Sequence, residues 1–392
     1  MDRPLLNRRL AEFGTTIFAE MSALAVRTGS INLGQGFPDT DGPEEVREAA
    51  VRALRDGRGN QYPPGPGIPE LRGAVAAHQE RFYGHLGLSY DPETEVLVTA
   101  GATEAIAASL LALLEPGDEV IALEPYYDSY AACIAMAGGT RVPVTLRPDA
   151  ATGSYTLDPD ELRNAVTDRT RLILLNTPHN PTGTVLTREE LAEVARLACE
   201  RDLLVITDEV YEHLVFEGEH LPLASFPGMR ERTVTISSSG KTFSFTGWKV
   251  GWVTAAPELV AAVRSAKQFL TYVSAGPFQY AIAEALALPD SYYTGLRDTL
   301  RTQRDVLAGG LADAGFQVFR PAGTYFITTD IRPLGESDGF AFCRALPERA
   351  GVVAIPNAVF YDHKDQGTPF VRFAFCKSVN VLEEAVSRLK AL

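Results

Sequence analysis

The fold is indicated first by the stretch Ser237-Ser-Ser-Gly-Lys-Thr-Phe-Ser-Phe-Thr-Gly-Trp-Lys249. It follows residues 233–236, whose β-branched composition is typical of a strand. Small hydroxyl side chains and two lysines therefore come directly after a strand. One lysine can react as an amine to form a Schiff base, and the other can supply positive charge to a phosphate. The stretch predicts a site that holds an anionic group beside a reactive lysine.

Short apolar strands alternate with helical stretches up to about residue 285, which favours an α/β fold with a largely parallel sheet. The strands are apolar on both faces, as in sheets that helices cover on two sides. Apolar residues at helical spacing mark residues 104–114 and 188–201 as helices. The candidate strands are residues 95–99, 119–123, 140–144, 171–175, 203–207 and 233–236.

The pattern changes near residue 285, where a smaller α+β domain is predicted to begin. A long amphipathic helix over residues 296–314 is followed by strand candidates at 315–319, 323–329 and 371–375. We predict three regions along the chain. They are an N-terminal arm with part of the small domain (residues 1–45), a large ligand-binding domain (46–285) and the C-terminal small domain (286–392).

The composition excludes several classes of partner. The 36 Lys and Arg residues against 50 Asp and Glu give a formal net charge of −14, which does not suit nucleic acid or an anionic membrane. No apolar stretch reaches the roughly 18 residues of a membrane span, and the N-terminus lacks a signal-peptide apolar block. The four cysteines show no metal-type spacing. We expect a cytoplasmic protein with reduced thiols and no metal site.

Four polar clusters follow predicted strands, where ligands bind in open parallel sheets. The first covers residues 99–105, and its backbone N–H groups can hold a phosphate unless it is an ordinary turn before a helix. The residues concerned are Gly101, Ala102 and Thr103. The second covers residues 176–183, where two X-Pro bonds fix an extended loop. That loop can aim Asn180 at a ligand oxygen, or it can serve only as a turn.

The other two clusters contain the ionisable groups. Asp208 follows the apolar residues 203–206, so it is expected to be buried and to need a partner. A pyridinium nitrogen is suitable, and Tyr211 can then donate to a phenolate oxygen. A metal ligand or a helix N-cap is the alternative for Asp208. With Ser238, Lys241 and Lys249 in the fourth cluster, the four sites together indicate pyridoxal 5′-phosphate (PLP), although a lysine in such a loop alone is usually exposed.

Arg372 interrupts the apolar residues 370–375 near the C-terminus. A buried guanidinium needs a partner, and its planar donors match a carboxylate bidentately. Arg372 is therefore a candidate for binding a substrate carboxylate, and an internal salt bridge is the alternative.

These motifs, in this order, resemble the class I/II aminotransferases of PLP fold type I over nearly the whole chain. The run continues from Asn32-Leu-Gly-Gln-Gly-Phe-Pro-Asp39 to the residues around Arg372. Residues 208–218 are similar to the kynurenine/glutamine/methionine aminotransferase subgroup. Residues 18–24, 61–67 and 272–279 resemble actinobacterial N-succinyldiaminopimelate aminotransferases. The fold implied is a large domain with a mostly parallel seven-stranded sheet between helices, plus a smaller α+β domain.

The resemblance implies a role for each site residue. Lys241 carries PLP as a Schiff base and moves the substrate proton, Asp208 pairs with the pyridine nitrogen, and Tyr211 bonds the phenolic oxygen. The substrate is implied to contact Gly36, Asn180, Arg372 and Phe18. The residues implied to hold the cofactor are Gly101, Ala102, Thr103, Tyr127, Asn180, Asp208, Tyr211, Ser238, Lys241 and Lys249, with Tyr62 of the partner subunit of a homodimer.

Some positions depart from the kynurenine aminotransferases. Thr103 stands in place of a tyrosine, Phe18 in place of a tryptophan, and Ser274 and Ala275 in place of an aromatic residue and a histidine. The resemblance thus implies a roomier substrate pocket. It implies ping-pong transfer of an amino group between an amino acid and a 2-oxo acid, with N-succinyl-L,L-2,6-diaminopimelate and 2-oxoglutarate as the expected pair. The alternatives are a broad kynurenine/glutamine/methionine aminotransferase, a cysteine-conjugate β-lyase, and a DNA-binding regulator built on the same fold.

Overall fold

Strands and helices alternate through most of the computed structural model, which describes residues 5–149 and 152–392. The strands are β1 (Ile31–Asn32), β2 (Val96–Thr99), β3 (Glu119–Glu124), β4 (Thr140–Thr145), β5 (Arg147–Asp149), β6 (Ser154–Thr156), β7 (Thr170–Asn176), β8 (Leu204–Asp208), β9 (Thr233–Ser238), β10 (Gly251–Thr254), β11 (Gln317–Phe319), β12 (Phe326–Asp330), β13 (Val352–Val353), β14 (Ile355–Pro356) and β15 (Phe370–Ala374). The α-helices are α1 (Ile17–Thr28), α2 (Glu44–Arg55), α3 (Pro69–Tyr83), α4 (Gly101–Leu113), α5 (Asp128–Ala137), α6 (Pro159–Asn164), α7 (Arg188–Glu200), α8 (Ser239–Thr242), α9 (Pro257–Lys267), α10 (Gly276–Leu286), α11 (Asp290–Asp313), α12 (Gly339–Ala350), α13 (Lys364–Gly367) and α14 (Val379–Leu389).

Seven strands form the central sheet, in the order β2-β10-β9-β8-β7-β3-β4. β10 runs antiparallel to both of its neighbours, and the remaining pairs are parallel. The prediction of a mostly parallel seven-stranded sheet is confirmed. All six candidate strands are present, with ends shifted by at most two residues. β10 was not among the candidates, because it has only four residues and no clear alternation of apolar and polar side chains.

Helices cover both faces of this sheet, as the apolar strands indicated. In β3, Val120 and Ala122 pack with residues of α4, α5 and α9. The intervening residues Ile121 and Leu123 pack with residues of α6 and α7 on the opposite face. Because successive side chains of a strand point to opposite faces, both faces of β3 must be apolar.

The C-terminal region has a four-stranded antiparallel sheet, in the order β11-β12-β15-β14. Its core includes Met21 and Ala25 of α1 together with residues of α11, α12 and α14. β1 pairs in parallel with β13, so residues 17–32 pack on the C-terminal region. The predicted smaller α+β unit is confirmed, and its long helix begins at Asp290, six residues before the predicted start. The domain boundaries at residues 45 and 285 remain predictions.

Local sequence signals fix the ends of α1, which carries Phe18 in its first turn. Thr16 Oγ1 accepts a hydrogen bond from the backbone N–H of Ala19 (3.3 Å), as an N-cap residue does. Gly29 ends the helix in the left-handed conformation, with φ of +63°. Among the described residues, no helix is both long and apolar enough to cross a membrane.

Candidate active site

A cavity of about 850 Å³ lies where the carboxyl ends of the central strands face the C-terminal region. Polar side chains from loops and helices that are distant in sequence meet there. Every predicted site residue except Tyr62 lines it. These residues are Phe18, Gly36, Gly101, Ala102, Thr103, Tyr127, Asn180, Asp208, Tyr211, Ser238, Lys241, Lys249 and Arg372.

Asp208 ends β8 at the buried floor of the cavity. The hydroxyl of Tyr130 donates to its Oδ2 (2.6 Å), and the backbone N–H of Val210 donates to its Oδ1 (3.3 Å). Burial raises the pKa of Asp208 to about 6, although both hydrogen bonds and the charge of Lys241 oppose the rise. The carboxylate is therefore oriented by its neighbours, and a buried cationic partner would stabilise its ionised form.

Lys241 lies in the short helix α8, directly after β9. Its Nζ is 5.7 Å from the ring centre of Tyr211 and 5.5 Å from that of Tyr325. Burial lowers the pKa of Lys241 to about 8, and the charges of Arg372 and Lys249 act in the same direction. The neutral amine, which is the form that attacks a carbonyl, is thus populated close to physiological pH.

The start of α4 and Lys249 form a compact anion-binding corner. A Cβ at Gly101, whose φ is +75°, would lie 3.3 Å from both Cε and Nζ of Lys249. A Cβ at Gly251 would lie 2.6 Å from the carbonyl carbon of Gly101 and 2.9 Å from the backbone N of Ala102. Glycine at both positions therefore lets the first turn of α4 lie beside the Lys249 ammonium. Helix-start N–H groups next to a lysine are suited to a phosphate.

Arg372 lies in β15 and is only 1% exposed. Its Nη1 donates to Asn180 Oδ1 (3.0 Å) and its Nη2 donates to the carbonyl of Gly34 (2.8 Å). The guanidinium carbon lies 4.0 Å from the ring centre of Phe326 and 5.3 Å from that of Phe18. Burial lowers its pKa to about 10, and within the described residues its Nε has no hydrogen-bond partner and no carboxylate pairs with it. A carboxylate ligand would supply the missing partner.

Two aromatic residues fix the backbone at Gly36. The hydroxyl of Tyr325 donates to the Gly36 carbonyl (2.5 Å), and a Cβ at Gly36 would lie 2.4 Å from Cζ of Phe326. The Tyr211 ring packs edge-on against Tyr325, with 5.4 Å between ring centres. Burial raises the pKa of Tyr211 and raises that of Tyr127 to about 12, so both hydroxyls remain protonated donors near neutral pH.

Tyr62 does not line the cavity of its own chain. Its side chain is 82% exposed and packs edge-on against Tyr272, with 5.7 Å between ring centres. The position implied for Tyr62, in the site of a partner subunit, remains a prediction. Ser274 and Ala275 also lie outside this cavity, whereas Thr103 lines it with an exposed side chain.

The model of the family Aminotransferase class I and II matches residues 28–389. The chain belongs to this family. It is 55% identical to a Mycobacterium tuberculosis protein named probable N-succinyldiaminopimelate aminotransferase, over 98% of each chain. The solved structure of N-succinyldiaminopimelate aminotransferase from that organism matches with a TM-score of 0.95 over 98% of this chain and 99% of that one. The methionine aminotransferase of Escherichia coli K12 is 39% identical over 100% of both chains. Human kynurenine–oxoglutarate transaminase 3 is 37% identical over 98% of this chain and 89% of that protein.

Membership among the class I and II aminotransferases implies use of PLP, and the chemistry of this cavity fits that cofactor. The aminotransferase presents a partly neutral lysine, a buried carboxylate that forms no salt bridge within the described residues, and a glycine corner beside a second lysine. These are the groups that an aldehyde, a pyridinium and a phosphate require. Arg372 remains free for the carboxylate of a substrate.

Two residues that sequence reasoning missed orient the aminotransferase site. Tyr130 bonds Asp208, and it lies three residues after Tyr127, which is the spacing that places two residues on the same helix face. Asn176 donates to the carbonyl of Asp208 (2.7 Å) and accepts from the backbone N–H of Asn180 (2.7 Å). Asn176 stood at the start of a recognised cluster, but only the register between β7 and β8 shows that it faces Asp208.

A separate buried group contains three possible metal ligands, although the sequence predicted no metal site. Suitable atoms of His78, Glu212 and His213 lie within 4.8 Å of one another, away from the cavity of the aminotransferase. The two Nε2 atoms lie 2.8 Å apart in a hydrogen bond, and Glu212 accepts from Tyr83 (2.8 Å) and Ser237 (2.7 Å). The Nε2 atoms of both histidines and both carboxylate oxygens of Glu212 are thus engaged in hydrogen bonds with protein groups, whereas the buried Nδ1 of His78 has no partner among the described residues.

Proposed function

We propose that the protein is a PLP-dependent aminotransferase that moves an amino group from N-succinyl-L,L-2,6-diaminopimelate to 2-oxoglutarate by a ping-pong mechanism. The observation that carries this proposal is the single cavity in which Lys241, Asp208 and Arg372 meet. The donor is suggested by the Mycobacterium tuberculosis relative, which is similar over nearly the whole chain. A cytoplasmic location remains a prediction from the sequence.

Different residues of the chain would bind different parts of the cofactor. Bound PLP supplies an electron sink for the bonds at the substrate Cα. Asp208, held by Tyr130, keeps the pyridine nitrogen protonated. Tyr211 would donate to the phenolic oxygen, and Lys249 with the start of α4 would hold the phosphate. Tyr127 would contact the ring, and in the proposed homodimer Tyr62 of the partner subunit would contact the phosphate.

Arg372 is assigned to substrate binding, and Lys241 is assigned to proton transfer. Arg372 binds the α-carboxylate together with Asn180 and the backbone at Gly36, which orients the Cα–H bond. Lys241 is the residue that would hold the cofactor through its aldehyde. When the Lys241 amine is free, it would take the proton from Cα. Because burial holds the pKa of Lys241 near 8, the amine can act as a base at physiological pH.

The test is a half-reaction with one amino donor at a time and no oxo acid. We expect the absorbance of the bound cofactor to change rapidly with N-succinyl-L,L-2,6-diaminopimelate and to recover when 2-oxoglutarate is added. Lys241→Ala should show no such turnover, with Lys390→Ala as the control because Lys390 lies outside the cavity. Turnover by Lys241→Ala without added amine, or no spectral change with any donor, would contradict the proposal.

Methionine is the second candidate donor, since the relative from Escherichia coli is similar over its full length. Rapid reaction with methionine, glutamine or kynurenine, and none with the succinylated donor, would assign a broad amino-acid specificity. A β-lyase would instead release pyruvate and ammonia from cysteine conjugates without an oxo acid, which an assay of these two products in the same mixtures would detect.

A further inference from the structure

The cavity is also lined by a second group of residues, namely Phe18, Phe340, Val359 and Lys364. Arg372 lies against the rings of Phe18 and Phe360, whose centres are 6.0 Å apart, and Val359 precedes Phe360 in the chain. A donor whose α-carboxylate binds Arg372 therefore places its side chain along these apolar residues.

Lys364 is a further cation that lines the same cavity as Arg372. Four cationic side chains of the described residues line the cavity, namely Lys241, Lys249, Lys364 and Arg372. The proposed function uses the other three. The Lys364 side chain is exposed, and within the described part of the chain no carboxylate lies within 4.0 Å of its Nζ. The cavity thus contains one ammonium group that neither the cofactor nor the α-carboxylate requires.

The backbone that carries Lys364 is firmly held. Buried Glu124, at the end of β3, accepts hydrogen bonds from the backbone N–H groups of Asp362 (2.7 Å) and His363 (3.2 Å), and from Nδ1 of His363 (2.5 Å). At Gly367, a Cβ would lie 2.4 Å from Cδ2 of Tyr361, so this turn packs too closely for a larger residue. These contacts hold the backbone on both sides of Lys364 in place.

The acidic groups of this part of the cavity have other partners or other positions and form no ion pair with Lys364. Glu12, which also lines the cavity, pairs with Arg141 (3.1 Å), and Asp362 pairs with the same arginine (3.0 Å). Asp128 lies on the Arg372 side of the cavity, and burial raises its pKa, which disfavours its charged form. Within the described residues, Lys364 is therefore a cation of this cavity that forms no ion pair and is available to an anionic end group of a substrate.

We propose that Lys364 binds the distal carboxylate of the amino donor and so selects amino acids with a long, acidic acyl chain. This inference rests on the proposed function, because it assumes that the α-carboxylate binds Arg372. Lys364 acts on donor preference, not on the chemical step.

The test compares two donors in the half-reaction of the holoenzyme, so that the oxo acid does not contribute. N-Succinyl-L,L-2,6-diaminopimelate carries the terminal carboxylate, and N-butanoyl-L,L-2,6-diaminopimelate has a methyl group in its place at the same chain length. The quantity measured is the ratio of kcat/KM for the two donors, which does not depend on the amount of active enzyme. We expect Lys364→Met to lower this ratio roughly two- to fivefold, the effect of one solvent-exposed ion pair, and Lys364→Arg to retain most of it.

Lys390→Met is the matched control, because it removes one exposed lysine outside the cavity and should leave the ratio unchanged. If the wild type prefers the succinylated donor and Lys364→Met keeps the same ratio, the role of Lys364 is refuted while the proposed function stands. If the wild type does not react with the succinylated donor at all, the proposed donor and the role of Lys364 are both overturned.

Discussion

Replacing Tyr130 with Phe should raise the pKa of Asp208. The Tyr130 hydroxyl donates to Asp208 Oδ2 at 2.6 Å in a buried setting, and this hydrogen bond opposes the rise that burial causes. A hydrogen bond to a charged group contributes about 1.5–3 kcal/mol, and one pKa unit corresponds to about 1.4 kcal/mol. The pKa of Asp208, about 6 in the wild type, should therefore rise by roughly one to two units in Tyr130→Phe.

The assay is the pH dependence of pyridoxamine 5′-phosphate binding by the apoprotein. This ligand has no aldehyde, so it reports on Asp208 without bonding to Lys241. The wild type should lose affinity as the pH falls through about 6, because Asp208 is protonated there. The Tyr130→Phe variant should lose affinity for the ligand at a pH about one to two units higher. Because the ligand phosphate titrates identically with both proteins, the difference between the two pH profiles reports the change in the pKa of Asp208.

Tyr127→Phe is the matched control, because it removes a hydroxyl from the same cavity without touching Asp208. Its profile should follow that of the wild type. If Tyr130→Phe and Tyr127→Phe have the same midpoint, the hydrogen bond does not set the pKa of Asp208 and the reasoning is refuted.

Three further predictions follow from individual contacts. Gly251→Ala should weaken PLP binding at least tenfold in a titration of the apoprotein, since its Cβ would push against Gly101, whereas Gly247→Ala, with nothing within 4 Å, should bind normally. Arg372→Lys should raise KM for both donor and oxo acid by about 10- to 100-fold in steady-state kinetics, because lysine cannot reproduce the bidentate geometry, and an unchanged KM would argue against carboxylate binding there. The rate at which apoprotein reacts with PLP should increase as the pH rises through about 8, where Lys241 loses its proton, and a flat profile between pH 7 and 9 would contradict that pKa.

The sequence was enough to predict six of the seven strands of the central sheet and most of the candidate site. Strands that are apolar on both faces stand out because the chain must bury them between helices, and polar residues directly after such strands collect at one edge of the sheet. Lys241 and Asp208 could be found in this way. The resemblance to a family was needed for residues far from any strand end, such as Phe18 and Gly36.

Three-dimensional packing determines what the sequence could not show. Tyr130 acquires its role only because α5 packs against the end of β8, a contact between residues 78 positions apart. The Gly101 corner depends on the pairing of β10 with β2, and β10 was not predicted at all. Lys364 looks like any exposed lysine until the segment that carries it is seen bound to Glu124. In each case the interaction that gives the residue its role joins positions far apart in the chain, so the residues next to it in the sequence do not predict it.

Burial shifts the pKa values of the three ionisable groups at the centre of the cavity toward their neutral forms. For Asp208 the rise from 3.8 to about 6 corresponds to a cost of about 3 kcal/mol for keeping the group ionised in the folded chain. Because the folded pKa lies above the unfolded one, the folded chain binds this proton more tightly. The resulting stability is present below about pH 4 and is lost as the pH rises through about 6.

The pKa values of Lys241 and Arg372 are lowered by the same burial, so these cations also lack full compensation in the chain alone. A ligand with a pyridinium and a carboxylate would offset the costs at Asp208 and Arg372, and a bond between Lys241 and an aldehyde would replace its ammonium. Without these ligands, the buried ionisable groups of the cavity therefore make the folded protein less stable than neutral side chains of the same size would. We infer that binding of cofactor and substrate should stabilise the folded protein by more than their buried area alone predicts.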